Sequence, residues 1–282
     1  MDDFRVEQAQ RLRRHQAFIL DLDGVVYRGE QVLPGAREFV AWADANDRRV
    51  LFLSNNSFAT VEEVTAKLAR LGIPHPEGRT LTAGWAAAQA IARRFPGGRV
   101  FALAVPSVEQ MLRDAGLQTV PMPDDTIGMA GKQARPDAVL VGLDRSLTYP
   151  RLRSAMRLIM AGVAFYAVNR DPRLPIEDGF EPGTGSIVVA LEYASGLPAL
   201  MIGKPAPEIV YQALQQLSVR ADEALMIGDA LDLDIVAGHA AGVETALVLS
   251  GLTDAEQAQE ATGDRRPAYV FADLADLLAE LA

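Results

Sequence analysis

FILDLDGVVY, residues 18–27, is the stretch that decides how the rest of this sequence is read. Phe18, Ile19 and Leu20 form a short apolar run ending at Asp21, the pattern of a buried parallel strand that opens into a polar loop. Side chains alternate along an extended chain, so Asp21 and Asp23 start on the same side. Gly24 then lets the backbone turn tightly beside whatever those carboxylates hold. Two carboxylates at the end of a core strand cost free energy unless a cation or hydrogen bonds compensate them. Taken alone, such an acid pair also reads as a solvated turn, because Asp favours turns. The stretches around it must decide.

Downstream, Pro34 and Gly35 open a helix that carries Phe39, Val40 and Ala43 toward one face. Val50 to Leu53 is a second apolar run, and it too ends in small polar residues, SNNS at 54–57. Thr60 and Glu63 form a capping box for the next helix, whose stripe is Val61, Val64, Leu68 and Leu71. Residues 83–95 read as a further helix, stopped by Pro96 and two glycines. Strand and helix alternate with short connections, which points to a parallel sheet with right-handed crossovers. In such sheets ligands sit outside the carboxyl ends of the strands. Asp21 and Ser54 both lie there.

From Arg99 the pattern restarts. Strands are expected at 99–105, 137–143 and 163–169, with helices at 107–116, capped by Ser107 and Gln110, and at 149–160. A loop rich in Pro, Gly and charge spans 169–186 and leads into an apolar helix near Ile187–Tyr193. This middle third reads as a second α/β unit inserted into the first. The last third returns to the earlier style. A strand at 224–229 ends in Asp229, residues 232–242 form a helix, and further strands and a terminal helix follow.

The chain has 282 residues, enough for one large or two modest domains. Its 37 acidic against 27 basic residues give a formal net charge of −10. That excess argues against non-specific binding to nucleic acid or to an anionic membrane. No apolar run reaches the length of a membrane span, and the first 16 residues read as an amphipathic lead-in without a signal-peptide core. There is no cysteine, which excludes disulfides, thiolate catalysis and Cys-zinc sites. A cytoplasmic location is the default expectation. His15, His75 and His239 stand outside every motif, and Trp42 and Trp85 read as packing residues.

Four stretches thus place reactive groups at equivalent strand ends: Asp21 with Asp23, Ser54 with Asn55, Lys204, and Asp229 with Asp234. Each alone has a plain reading as turn, cap or solvated loop; together they fit phosphoryl transfer. Mg²⁺ takes oxygen ligands, typically one or two carboxylates with waters and a phosphate oxygen. Asp21, Asp229 and the backbone carbonyl of Asp23 could supply them. A carboxylate can attack phosphorus to give an aspartyl-phosphate. Lysine, hydroxyl and amide donors, here Lys204, Ser54 and Asn55, can neutralise the charge that spreads over the phosphoryl group. Asp23 would protonate the leaving oxygen and later activate water.

DLDGVVY at 21–27, SNNS at 54–57, GKP at 203–205 and GDALDLD at 228–234 resemble, in order and spacing, the four motifs of the haloacid dehalogenase superfamily. LPGA at 33–36, PGTGS at 182–186 and DIVAGHAAGVETALVLSG at 234–251 resemble its NagD-like, 4-nitrophenyl phosphatase subfamily, class IIA. There a large α/β cap lies between the second and third motifs. The resemblance implies a doubly wound, Rossmann-like parallel-sheet core at 1–96 and 199–282, with a cap at 97–198. It implies a Mg²⁺-dependent phosphatase for small phosphomonoesters that works through an aspartyl-phosphate. Asp21 would be nucleophile and metal ligand, Asp23 general acid/base and carbonyl ligand, and Asp229 the acidic metal ligand. Ser54, Asn55 and Lys204 would bind phosphate, and Asp234 would support the metal. Ser54 stands where the family often has Thr. In the cap, Asn169 and Asp171 resemble a TNxD segment, with Val168 in place of the Thr, and become candidate substrate contacts along with the loop 170–181. A homodimer through the cap is also implied. Two other readings use the same residues. One is a non-enzymatic, receiver-like phosphoacceptor, which needs neither Asp23 nor the large insert. The other is a metal-free dehalogenase, which has no use for Asp229 and Asp234.

Overall fold

In the computed structural model, residues 10–121, 135–176 and 178–281 are described. The first nine residues of the amphipathic lead-in lie outside them, as does Glu177 of the 170–181 loop. The described chain divides into two compact units, one holding residues up to 54, 61–81 and 204 onward, the other 55–60 and 82–203.

The first unit is built on a six-stranded sheet in the order 269–271, 244–248, 224–228, 17–21, 49–54, 80–82. Ala17–Asp21 lies near its middle, parallel to both neighbours. Leu20 faces Ile227 on one side and Phe52 on the other. All five of its residues are buried, as a strand covered on both faces requires. Phe18 is locked by an edge-on contact with Phe39 at 5.0 Å between ring centroids and by Trp42 at 6.0 Å. Both come from the helix Ala36–Ala45, whose buried residues include Phe39, Val40 and Ala43. Trp42 is therefore a packing residue, as its position in the sequence implies. His15 is buried at the other end of the same strand. Its Nδ1 lies 3.1 Å from the Leu12 carbonyl and its Nε2 3.0 Å from Glu244. Burial lowers its pKa.

One element departs from the expected helix at 232–242. Residues Leu231–Ile235 form a single π-helical turn, followed by the short α-helix Val236–Ala240. The carbonyl of Ala230 accepts from the amides of Leu233, Asp234 and Ile235 at 3.3, 2.9 and 3.3 Å. Such turns hold one residue more than an α-helical turn and recur at functional sites.

The second unit carries a five-stranded parallel sheet in the order 200–201, 164–167, 138–141, 99–103, 118–119. Its core gathers Phe101, Leu103, Val139, Val141 and Phe165 with Leu158 and Ile159 of the helix Tyr149–Met160 and Val188 and Leu191 of the helix Thr184–Ser195. The expected loop at 169–186 is largely ordered. Arg173–Ile176 and Gly179–Pro182 pair antiparallel, and the Arg173 guanidinium lies 4.8 Å from the Phe180 ring centroid. Composition hid this hairpin because its strands are short and carry Pro, Arg and Glu. Ser107 is not the helix cap expected of it: the helix starts at Pro106, and the Ser107 hydroxyl donates to the Phe58 carbonyl.

Candidate active site

Three neighbouring strands of the first unit end in candidate site residues. Asp21 closes Ala17–Asp21, Ser54 closes Arg49–Ser54, and Asp229 follows Ala224–Gly228. Parallel pairing sets these ends side by side, with Asp21 opposite Leu53. Lys204 opens the third stretch of this unit. It is 2% exposed, and its ammonium donates to Asp21 and, at 2.6 Å, to Asp234. A buried ammonium would ordinarily lose its proton. Here burial lowers the Lys204 pKa, but the carboxylates of Asp21 and Asp234 outweigh that and hold it above the usual value.

Asp234 is 1% exposed, and both of its oxygens are engaged. One takes Lys204; the other accepts from the amides of Asp229 at 3.2 Å and Ala230 at 3.0 Å. It therefore fixes the strand end that carries Asp229, and the π turn is what brings it back to that strand. Gly228 makes the approach possible: a Cβ there would stand 2.1 Å from that of Asp234. Asp229 is clamped in its turn. Its carboxylate accepts from the Leu252 amide at 2.7 Å, and its carbonyl accepts from the Thr253 amide at 3.1 Å. A Cβ on Gly24 would lie 2.3 Å from Asp229 Oδ2 and one on Gly251 only 1.8 Å away. Gly24 has φ +91°, so the close backbone approach expected of it is present. The Ser250 hydroxyl ties the two walls together by donating to the Gly24 carbonyl at 2.7 Å.

One carboxylate oxygen from each of Asp21, Asp229 and Asp234 lies within 4.8 Å of the other two, and all three residues are buried. Against three carboxylates the cluster offers one ammonium. Burial, then the neighbouring carboxylates, push Asp21 well above the ordinary carboxylate range, although Lys204 pulls it down. Burial and then Asp234 raise Asp229 to about 6. Excess negative charge in a desolvated, oxygen-only site is what a hard divalent cation relieves, so the residues present fit Mg²⁺. Asp23 is exposed, two residues past Asp21. Packed protein beneath it desolvates its carboxyl and raises the pKa, opposed by the charges of Lys67 and then Lys204.

Of the sequence candidates, the structure brings Asp21, Lys204, Asp229 and Asp234 together, with Ser54 on the adjoining strand end. Asn55, Asn169 and Asp171 gather within the second unit. Asn169 is buried; its amide donates to the Asn55 carbonyl and to Asp171, each at 2.8 Å. The Asn55 amide lies 3.4 Å from Asp171. Gly203 leaves room for Asn55, since a Cβ there would be 2.4 Å from Asn55 Oδ1. The sequence reading gave no role to Gly228, Ser250, Gly251 or the Leu252 amide. The signal was present in LSG at 249–251, two small residues directly after an apolar strand.

A doubly wound sheet with buried acids and a lysine at its strand ends defines an α/β enzyme of the phosphoryl-transfer kind. Comparison with known proteins agrees. Residues 18–118 match the model of haloacid dehalogenase-like hydrolases, and residues 201–277 match that of HAD-like hydrolases. An acid sugar phosphatase of Staphylococcus saprophyticus is 32% identical over 270 residues, 96% of this chain and 99% of that protein. The solved p-nitrophenyl phosphatase from Archaeoglobus fulgidus superposes with a TM-score of 0.84 at 31% identity, over 94% of this chain and 98% of that one. The glycerol phosphate phosphatase of Mycobacterium tuberculosis, solved with magnesium, gives 0.82 at 35% identity, over 95% of this chain and 77% of that one. The chain belongs to the haloacid dehalogenase superfamily, in its NagD-like branch, and is an enzyme. Among the described residues no helix is long and apolar enough to cross a membrane.

Proposed function

We propose that this chain is a Mg²⁺-dependent phosphoric monoester hydrolase that acts on small phosphorylated metabolites, and that Asp21 is its nucleophile. The observation that carries this reading is the Lys204 ammonium bridging Asp21 and Asp234 beside Asp229. The relatives' substrates, sugar, nitrophenyl and glycerol phosphates, support the reaction class.

Asp21, Asp229 and the carbonyl of Asp23 would hold the ion, which when bound supplies positive charge to the phosphoryl oxygens and to Asp21. Lys204 aligns Asp21 and favours its ionised form, and the ion would add to that. The Asp21 carboxylate attacks phosphorus; the bond from phosphorus to the ester oxygen breaks, and that oxygen takes a proton from Asp23. Ser54, and Asn55 after it in the chain, would donate to the transferring group as charge spreads. Water then attacks phosphorus and passes a proton to Asp23, the acyl phosphate bond breaks, and inorganic phosphate leaves. Asp234 holds Lys204 and the Asp229 strand end in place without touching phosphate. Asn169 and Asp171 are proposed substrate contacts in the second unit, which would serve as the cap. A homodimer through that unit belongs to the same proposal, and a monomeric mass in light scattering would reject it.

The test is phosphate release from p-nitrophenyl phosphate with Mg²⁺ and with EDTA, using wild type and Asp21→Asn. Metal-dependent turnover is expected in the wild type and none in the variant, which keeps its circular dichroism spectrum. Near-normal activity of Asp21→Asn would sink the nucleophile assignment.

A further inference from the structure

One cation beside the proposed acid/base has no part in the reaction as described. Lys67, on the helix Val61–Arg70, places its ammonium 3.7 Å from the ring centroid of Tyr27. Tyr27 is fixed next to Asp23. Its carbonyl accepts from the Gly24 amide at 2.8 Å, and its backbone bridges that of Asp23. The tyrosine ring is buried and so provides a rigid platform for the lysine. The neighbouring cations Arg70 and Arg79 are each paired, with Glu30 and Asp44. Among the described residues Lys67 makes no ion pair with a carboxylate, and it is only half-buried.

The position of this charge relative to the chemistry is what matters. Lys204 serves Asp21, where phosphorus is attacked. Asp23 serves the opposite end of the breaking bond, where the alcohol departs. Lys67 rests on the ring of Tyr27, whose backbone bridges that of Asp23, and so stands on the leaving-group side. A lysine held on an aromatic face with open hydrogen-bond donors suits an oxyanion better than a neutral hydroxyl.

We propose that Lys67 is a specificity-determining residue that binds a second anionic group carried by the alcohol portion of the substrate, so that the enzyme favours phosphomonoesters with a carboxylate or second phosphate a few atoms from the ester oxygen. The inference rests on the phosphatase reading above and adds the substrate class.

The test uses three esters of one size and three charges: 2-phosphoglycolate, 2-hydroxyethyl phosphate and phosphoethanolamine. The wild type should rank them in that order by kcat/KM. Lys67→Met keeps the apolar stem and should lower the ratio of anionic to neutral substrate about tenfold, Lys67→Glu should invert the order, and Lys67→Arg should preserve it. A ratio is independent of the fraction of correctly folded enzyme. An unchanged ratio in Lys67→Met overturns the proposal. So does an equal loss on all three esters, which would make Lys67 a partner of Asp23 alone. A wild type active on p-nitrophenyl phosphate but indifferent to charge overturns only this inference. A wild type inert toward all four esters overturns the phosphatase reading as well.

Discussion

Replacing Asp229 with Asn should make the metal-free protein more stable while destroying its response to Mg²⁺. Burial and the Asp234 charge raise the Asp229 pKa from the ordinary 3.8 to about 6. Folded protein therefore holds a proton through a window in which the unfolded chain has released it. As pH rises from about 4 to 6, stability is lost, and above 6 it stays lost. A shift of about two pH units corresponds to about 3 kcal/mol at pH 7. Asn imitates the protonated acid and can still accept from the Leu252 amide, so that loss should disappear. For a folding unit of about 150 residues the gain is roughly 6–12 °C in Tm. Differential scanning calorimetry in EDTA between pH 4 and 8 measures it. The wild-type minus variant difference isolates this group from Asp21, which titrates in the same direction. Adding Mg²⁺ at pH 7 should raise the wild-type Tm by mass action and leave the variant unmoved. If the EDTA curves of the two proteins superimpose across the whole pH range, the charge-excess account of this site is wrong.

The other expectations concern the groups around it. Lys204→Met strands buried carboxylates and should cost about 3–5 kcal/mol, read from urea unfolding; an unaltered midpoint would contradict the bridge. Gly251→Ala drives a methyl into the Asp229 carboxylate, 1.8 Å from Oδ2. Mg²⁺ affinity by calorimetric titration should fall about 10–100-fold, and wild-type affinity would refute the clamp. Asp23→Asn should slow hydrolysis of alkyl phosphates about 10²–10⁴-fold and of p-nitrophenyl phosphate much less, because nitrophenolate leaves without a proton. Equal losses would remove Asp23 from that role.

The sequence displayed the parts of this fold that repeat along the chain. Phe18–Asp21, Val50–Ser54 and Ala224–Asp229 are apolar runs that end in polar residues, and that pattern alone marks strand ends in a parallel sheet. Asp21, Ser54 and Asp229 were legible for the same reason; Lys204 was expected at an equivalent strand end, but the strand before it, Leu200–Met201, belongs to the sheet of the second unit. What stayed hidden depends on contacts distant in sequence. Nothing in LDLDI at 231–235 distinguishes a π turn from an α-helix, because the choice is made by Asp234 reaching Lys204 and two backbone amides. The clamp at 250–253 works through amides, which any residue but proline provides. Lys67 looks like an ordinary helix lysine until Tyr27 is seen beneath it.

The π turn also changes what kind of alteration this protein can withstand. In an α-helix each residue advances the side chains by about 100°. Losing one residue between Ala230 and Asp234 would swing that carboxylate away from Lys204 even if every remaining residue were kept. Exchanging the outward-facing Asp232, paired with Arg265 at the surface, would leave the geometry alone. In this segment chain length is constrained as tightly as Asp234 itself, so a single-codon deletion should silence the enzyme where exchange of Asp232 would pass unnoticed.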